Sequence, residues 1–224
     1  SMIEITRKSF LTGLALTAFA APAYTAKAQT KSSRLDGTQA EEGFNHHWKT
    51  LNGRRQHFVT LGSGPAILFL HGFPGLWRDW RAQMQAAANA GYLAVAPDLR
   101  GFGETDGEID PERYTGLDVI GDLISIIDHL DIKEVSVVAH DWGTTAGWAA
   151  VQVRPDRFKR LLAVSVPWMP RGDRSLPQIL KAEAPKEYYL PWFLEKGAPD
   201  NEFDRDPETF LRRIYFTNSA ERDG

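Results

Sequence analysis

Cysteine is absent from the chain, so no disulfide contributes to the fold, and a disulfide-free protein is indifferent to the redox compartment in which it works. A surplus of basic charge is also missing. Lysine and arginine number 26 against 29 acidic residues, the net charge is −3, and no block of like charge occurs; nucleic acid is therefore not an expected partner. No pair among the six histidines has metal-ligand spacing, and neither a metal nor a cofactor is expected. Internal repeats are lacking too. What the 224 residues do contain is enough apolar surface for one good core in one or two domains, with seven tryptophans and twelve phenylalanines to line it or a pocket.

The apolar stretch near the start is too short to cross a membrane: about fifteen residues, against roughly twenty for a spanning helix. It follows Arg7-Lys8-Ser9-Phe10-Leu11, runs through Leu14 to Ala21, and leads to Ala26-Lys27-Ala28, a small-residue cleavage pattern. Residues 1–28 are read as an export signal, with no stable membrane anchor and a destination in a bacterial periplasm or outside the cell. The order from Thr6 to Leu11 is similar to a twin-arginine signal with lysine in the second basic place. Residues 29–43, polar and rich in Ser, Thr and Gly, are expected to form a flexible N-terminus.

From Phe44 the texture is that of strands and helices in alternation. Phe44–Leu51 and Arg55–Leu61 are strand-like and joined by Asn52-Gly53, the dipeptide suited to a tight hairpin turn. Ala66–Leu70, Tyr92–Ala96, Val135–Val138 and Leu161–Val166 read as buried strands. A helix is expected over Trp77–Gly91, and another begins at Thr115 with Asp118 in its first turn; Leu117, Ile120, Leu123, Ile124, Ile127 and Leu130 form its apolar face. This alternation predicts an α/β fold with a doubly wound, mostly parallel sheet and an N-terminal antiparallel hairpin over residues 44–167. After Pro167, prolines and aromatics predict short helices laid over the crevice, a lid over residues 168–224.

The stretch Glu134–Thr145 organises the rest. A valine-rich strand passes through Ala139-His140-Asp141-Trp142-Gly143 directly into an alanine-rich helix. A sharp strand-to-helix turn tolerates only small residues two places either side of its apex, and Ala139 and Gly143 meet that demand. Asp141 at the apex faces the crevice at the carboxyl ends of the strands, where open α/β sheets bind ligands. Read alone, it is equally a helix N-cap; read as a nucleophile, it attacks an sp3 carbon and becomes an ester of the enzyme. His46, His47, His57 and His129 are read as polar-face residues, His71 as a brace for its loop, and His140 as pointing away from the apex.

His71-Gly72-Phe73-Pro74, Asp98-Leu99-Arg100-Gly101-Phe102-Gly103 and His140-Asp141-Trp142-Gly143 stand in the order and spacing of the α/β-hydrolase superfamily, and more narrowly resemble soluble epoxide hydrolases. The resemblance implies that Asp141 opens an epoxide to give an alkyl-enzyme ester, which water then hydrolyses to a diol. The backbone N–H groups of Phe73 and Trp142 would form the oxyanion hole. Tyr189, in a segment similar to the tyrosine-bearing part of the family's lid, would protonate the epoxide oxygen, with Tyr188 the less favoured candidate. Trp168, Trp192 and Phe193 would line an apolar substrate pocket. Haloalkane dehalogenases share the aspartate, so a halide substrate is the alternative; a non-catalytic, ligand-binding homologue is another. The family also carries an orienting acid and a catalytic histidine on later strands, yet no histidine follows His140. The chain is accordingly expected to be part of a longer hydrolase, with the C-terminal strands as its missing partner.

Overall fold

The computed structural model describes residues 43–107, 114–168, 173–174, 176–183, 193 and 198–217. The expected export signal, nearly all of the 29–43 segment, and Tyr188, Tyr189 and Trp192 lie outside the described residues. Six strands form one sheet: β1 (Asn45–Leu51), β2 (Arg54–Gly62), β3 (Ala66–Leu70), β4 (Leu93–Pro97), β5 (Val135–His140) and β6 (Phe158–Val164), in the order β1-β2-β4-β3-β5-β6. The first hairpin turns at Asn52 and Gly53, whose φ angles of 50° and 76° give the doubly left-handed bend of a primed turn. β2 pairs antiparallel with β4, and β4, β3, β5 and β6 run parallel. The expected hairpin followed by a mostly parallel, doubly wound sheet is what forms.

Both faces of the sheet are covered, which explains why the central strands are continuous apolar runs rather than alternating ones. On one face Leu68, Leu70, Val95, Val135 and Val137 pack against α2 (Gly116–His129) and α3 (Trp142–Val153). Val59, Phe69, Ala94 and Ala96 face the other way, onto Trp77, Trp80 and α1 (Arg81–Asn89). Thr115 and Asp118 close a reciprocal capping box at the start of α2. α2 buries the expected Ile120, Leu123 and Ile127 together with Ile126, and Ile124 and Leu130 pack against the same cluster; of the expected face only Leu117, in the first turn, is exposed.

Two other expectations are corrected. The segment from Trp77 is not one helix: Trp77–Trp80 is a 3-10 turn, and α1 starts only at Arg81. Three residues per turn bring Trp77 and Trp80 onto the same side, so both indoles are buried. The last strand begins at Phe158 and ends at Val164, and it is not buried throughout, since Leu162 is 56% exposed and Val164 42%. As the final strand in the sheet order, β6 has no described neighbour on its outer side. Beyond it lie α4 (Leu176–Glu183), α5 (Ala198–Arg205) and α6 (Pro207–Thr217). Among the described residues, no helix is long and apolar enough to cross a membrane.

β3 lies between β4 and β5, so the chain leaves β3 for a strand on one side and then crosses to the other. The loops after these three strands meet at this switch point. They are held by buried polar side chains. Arg100, after β4, donates from Nε to Asp122 Oδ2 at 2.7 Å and from a terminal nitrogen to Asp118 O at 3.0 Å, both on α2. Asp122 Oδ1 also accepts from Asn52 at 2.7 Å and pairs with Arg54 at 3.3 Å. His71, at the end of β3, accepts the Leu99 N–H at Nε2 (2.9 Å) and donates from Nδ1 to Gly72 O (2.9 Å). Both ring nitrogens are thereby used, and His71 braces its loop as expected.

Replacing Asp122 by alanine leaves two buried guanidinium groups without their shared carboxylate. A loss of about 3–5 kcal/mol in urea unfolding is expected. Stability should also fall with acid in two windows. Burial holds the His71 imidazole below its ordinary 6.5, so the unfolded chain takes up a proton that the folded one refuses, and stability present above about pH 6.5 declines beneath it. Half-buried His47 shifts the same way, chiefly through burial, with His129 and Lys49 adding to it. Burial pushes Asp98 up, but hydrogen bonds from His57, Trp77 and Glu104 outweigh it and hold the carboxyl below 3.8, adding a further loss under that pH. Urea midpoints measured from pH 8 to 4 should decline below 6.5, less steeply in His71→Asn.

Candidate active site

β3 and β5 are parallel neighbours with Leu70 opposite Ala139, so the chain leaves the sheet after Leu70 on one strand and after His140 on the other, within one residue of the same level. At Asp141 the backbone takes φ 52° and ψ −125°, a conformation L-residues rarely adopt. Close packing enforces the bend. A Cβ on Gly143 would run into the carbonyl oxygens of Leu70 and His71, and one on Gly72 into Asp141 itself. On α3, a Cβ on Gly147 would come within 2.8 Å of Leu161 Cδ1 and 3.4 Å of Ala139 Cβ. Small residues are thus required on both sides of the apex.

Asp141 is the N-cap of α3 by position, but its side chain makes no capping hydrogen bond. Oδ1 instead accepts the backbone N–H of Phe73 at 2.9 Å. The capping alternative therefore fails on geometry: the carboxylate is turned from its own helix toward the β3 loop. Trp142, the first residue of α3, has an N–H without an intrahelical acceptor. Its indole is 45% exposed. His140 is exposed as well.

The loop that carries Phe73 turns through a Gly75 N–H bond to Gly72 O at 2.8 Å and contains a cis Phe73–Pro74 peptide. Its far end meets Asp98 at the end of β4, whose Oδ1 accepts Trp77 N–H at 3.1 Å. Oδ2 of Asp98 accepts from His57 Nδ1 at 2.7 Å and from Glu104 N–H at 3.2 Å. His57 is 0% exposed and in further contact with His46 Nδ1 at 3.0 Å. The reading of His57 as a polar-face residue is therefore wrong: β2 lies inside the sheet, between β1 and β4, and its imidazole is interior. Membership of an interior strand was the missing signal, and it depends on pairings far apart in the chain.

A cavity of about 450 Å³ opens beside the Phe73 loop, lined by Phe73, Pro74, Phe102, Phe193, Phe203 and Phe210 among others. Phe193 sits edge-on to Phe73 with centroids 5.1 Å apart, and Phe210 of α6 lies 6.1 Å from Phe193 in the same cavity wall. Phe203 is one of the aromatics expected over the crevice; Phe102 and Phe210 were not expected in the pocket, because nothing local marks them from core aromatics. Trp168 does not line this cavity; it packs on Trp148 of α3 at 5.5 Å and is 49% exposed. Tyr189 and Trp192 lie outside the described residues, so the structure brings together Asp141, Phe73, Trp142 and Phe193. Among the described residues, no group of three or more His, Asp or Glu could hold a metal ion.

Residues 65–207 match the family described as alpha/beta hydrolase fold. Epoxide hydrolase 2 of Siraitia grosvenorii is 40% identical over 176 residues, which are 77% of this chain and 55% of that protein. An epoxide hydrolase of Caballeronia sordidicola is 42% identical over 149 residues, 66% of this chain and 45% of its own length. The crystal structure of an epoxide hydrolase from Vigna radiata superposes with a TM-score of 0.72 at 37% identity, covering 77% of this chain and 54% of that one. The chain spans about half the length of the curated relatives it matches. With the strand order, the tight apex at Asp141 and a matching family model over most of its length, the chain belongs to the α/β-hydrolase fold family.

Proposed function

We propose that this chain is the nucleophile-bearing part of an epoxide hydrolase acting on small apolar epoxides. The observation that carries the reading is the 2.9 Å bond from Phe73 N–H to Asp141 Oδ1. It distinguishes the two carboxylate oxygens. Oδ2 is left to attack the epoxide carbon from behind the carbon–oxygen bond, which breaks as the carbon–Oδ2 bond forms. The released alkoxide takes a proton, which we assign to the Tyr189 phenol, since an alkoxide is a poor leaving group without an acid. The product is a hydroxyalkyl ester whose carbonyl oxygen is Oδ1, already facing Phe73 N–H. When water attacks the carbonyl carbon, negative charge gathers on Oδ1, where the Phe73 and Trp142 N–H groups stabilise it. Collapse of this adduct breaks the bond from Cγ to Oδ2, the oxygen that carries the substrate carbon; Oδ2 leaves with the diol, its alkoxide taking up a proton given up by the attacking water, and the carboxylate re-forms from Oδ1 and the water oxygen.

Names of similar proteins support the epoxide over the halide: the relatives described above are all called epoxide hydrolases. The cavity meets the site through Phe73 and does not take in Asp141 itself; its phenylalanines favour an apolar substituent reaching away from the reacting carbon. His71 is not the base for the hydrolytic step, because both its nitrogens are engaged and its ring is buried. We assign that base to the remainder of a longer hydrolase. Export from a bacterial cell is proposed on the basic and apolar pattern between Arg7 and Ala28 alone.

Incubation of the folded chain with styrene oxide should add the mass of one epoxide to the peptide containing Asp141. Asp141→Asn should lower the rate of adduct formation by roughly three orders of magnitude or more. An unmodified Asp141 after prolonged exposure, or bromide release from 1,2-dibromoethane without any epoxide adduct, would sink the reading. Gly72→Ala should also abolish the adduct, since its methyl group takes the space of the Asp141 side chain.

A further inference from the structure

The loop from His71 to Trp77 is fastened at both ends by two consecutive residues. At its start, His71 Nε2 accepts the Leu99 N–H at 2.9 Å; at its end, the Trp77 N–H donates to Asp98 Oδ1 at 3.1 Å. Phe73, between these points, carries the N–H that meets Asp141. The place of Phe73 is thus referred to the end of β4 and not only to β3, on which the loop begins. Asp98 has little freedom of its own. Its second oxygen is held by His57 Nδ1 and Glu104 N–H, and its carbonyl oxygen accepts from Thr105 Oγ1 at 2.8 Å. His57 is held in turn: Thr105 Oγ1 accepts its backbone N–H at 2.9 Å, His46 contacts its Nε2, and Trp48 stacks on both imidazoles at 5.0 and 5.5 Å. Trp48 Nε1 closes the set by donating to Glu104 Oε2 at 2.9 Å.

We propose that Asp98 and His57 are positioning residues for the reaction: through Trp77 and the strap of residues 71–77 they hold the Phe73 N–H against Asp141. This rests on the reading of Phe73 N–H as the oxyanion donor. His57 touches nothing at the reacting carbon and acts only by keeping Asp98 aimed. The N-terminal hairpin is thereby assigned a part in the chemistry, although three strands separate β1 from β5 in the sheet order. A purely space-filling role for His57 would require only its volume, whereas the aimed Asp98 requires an N–H at the Nδ1 position.

The test uses the Phe73 amide in 15N-labelled protein. His57→Leu should move its proton resonance and raise its hydrogen-exchange rate by at least about tenfold. His57→Asn, whose amide N–H reaches where Nδ1 was, should return both toward the parent values. Gln56→Leu is the control. Gln56 is the buried neighbour on β2, bonded to Leu51 O and Ser125 Oγ, and its loss should lower stability without displacing the Phe73 signal. Where His57→Leu does not fold, Asp98→Asn replaces it, presenting an N–H to the two donors of Oδ2. The styrene oxide adduct at Asp141 should then form about tenfold or more slowly in the displaced variants, with the concentration for half-maximal rate unchanged. A Phe73 amide unmoved by His57→Leu or by Asp98→Asn, or moved equally by Gln56→Leu, overturns the proposal. An undisplaced amide in the parent that forms no adduct overturns the proposed function, while the amide comparison still decides the strap.

Discussion

A main-chain N–H on one strand's loop and a carboxylate on the next strand's turn, 2.9 Å apart, set the terms for everything else at this site. Their meeting depends first on register. Leu70 and Ala139 are partners across β3 and β5, so both chains leave the sheet within one residue of the same level. It depends next on the absence of side chains: a methyl group at Gly72 or Gly143 would fill the space in which the two segments touch. It depends last on a backbone at φ 52°, which costs of order 1–3 kcal/mol for a residue other than glycine and persists only where the surroundings over-determine it. The packed core beneath supplies that determination, with Ala139, Ala146 and Ala150 fully or nearly buried under the turn.

Much of this frame was legible in the chain because it is written in local terms. Apolar runs at 66–70 and 92–96 are short enough to be strands and too continuous for a one-sided sheet. Ala139 and Gly143 bracket an apex, and Asn52-Gly53 marks a hairpin. What escaped is what only tertiary pairing decides. The run after Trp77 has helical composition throughout, yet burying two indoles against Phe69 and the sheet favours a tighter first turn. Leu162 and Val164 look like core by residue type and are exposed because of where β6 falls in the strand order. His57 looks like a surface residue by type and is fully enclosed for the complementary reason. A side chain's character is local, but its environment is not.

Asp98 raises the opposite question, why a charge should be buried where an apolar residue of similar size would pack. Removing a carboxylate from water costs several kcal/mol even after relaxation, and replacing a buried ion pair by apolar groups is often neutral or stabilising. Here the acceptors are required by the backbone. Trp77, whose N–H opens its 3-10 turn and so has no partner within it, and Glu104, outside any helix or strand, both present main-chain N–H groups to this point. An apolar residue at position 98 would fill the volume and leave both donors unsatisfied, each at about 1–3 kcal/mol. Three donors on two oxygens also explain why the carboxyl titrates below its ordinary value despite being buried. The acid is thus the consequence of irregular backbone on either side of it, and that irregularity is what turns one loop toward Asp141 and opens the next, at Gly101–Gly103, beside the cavity.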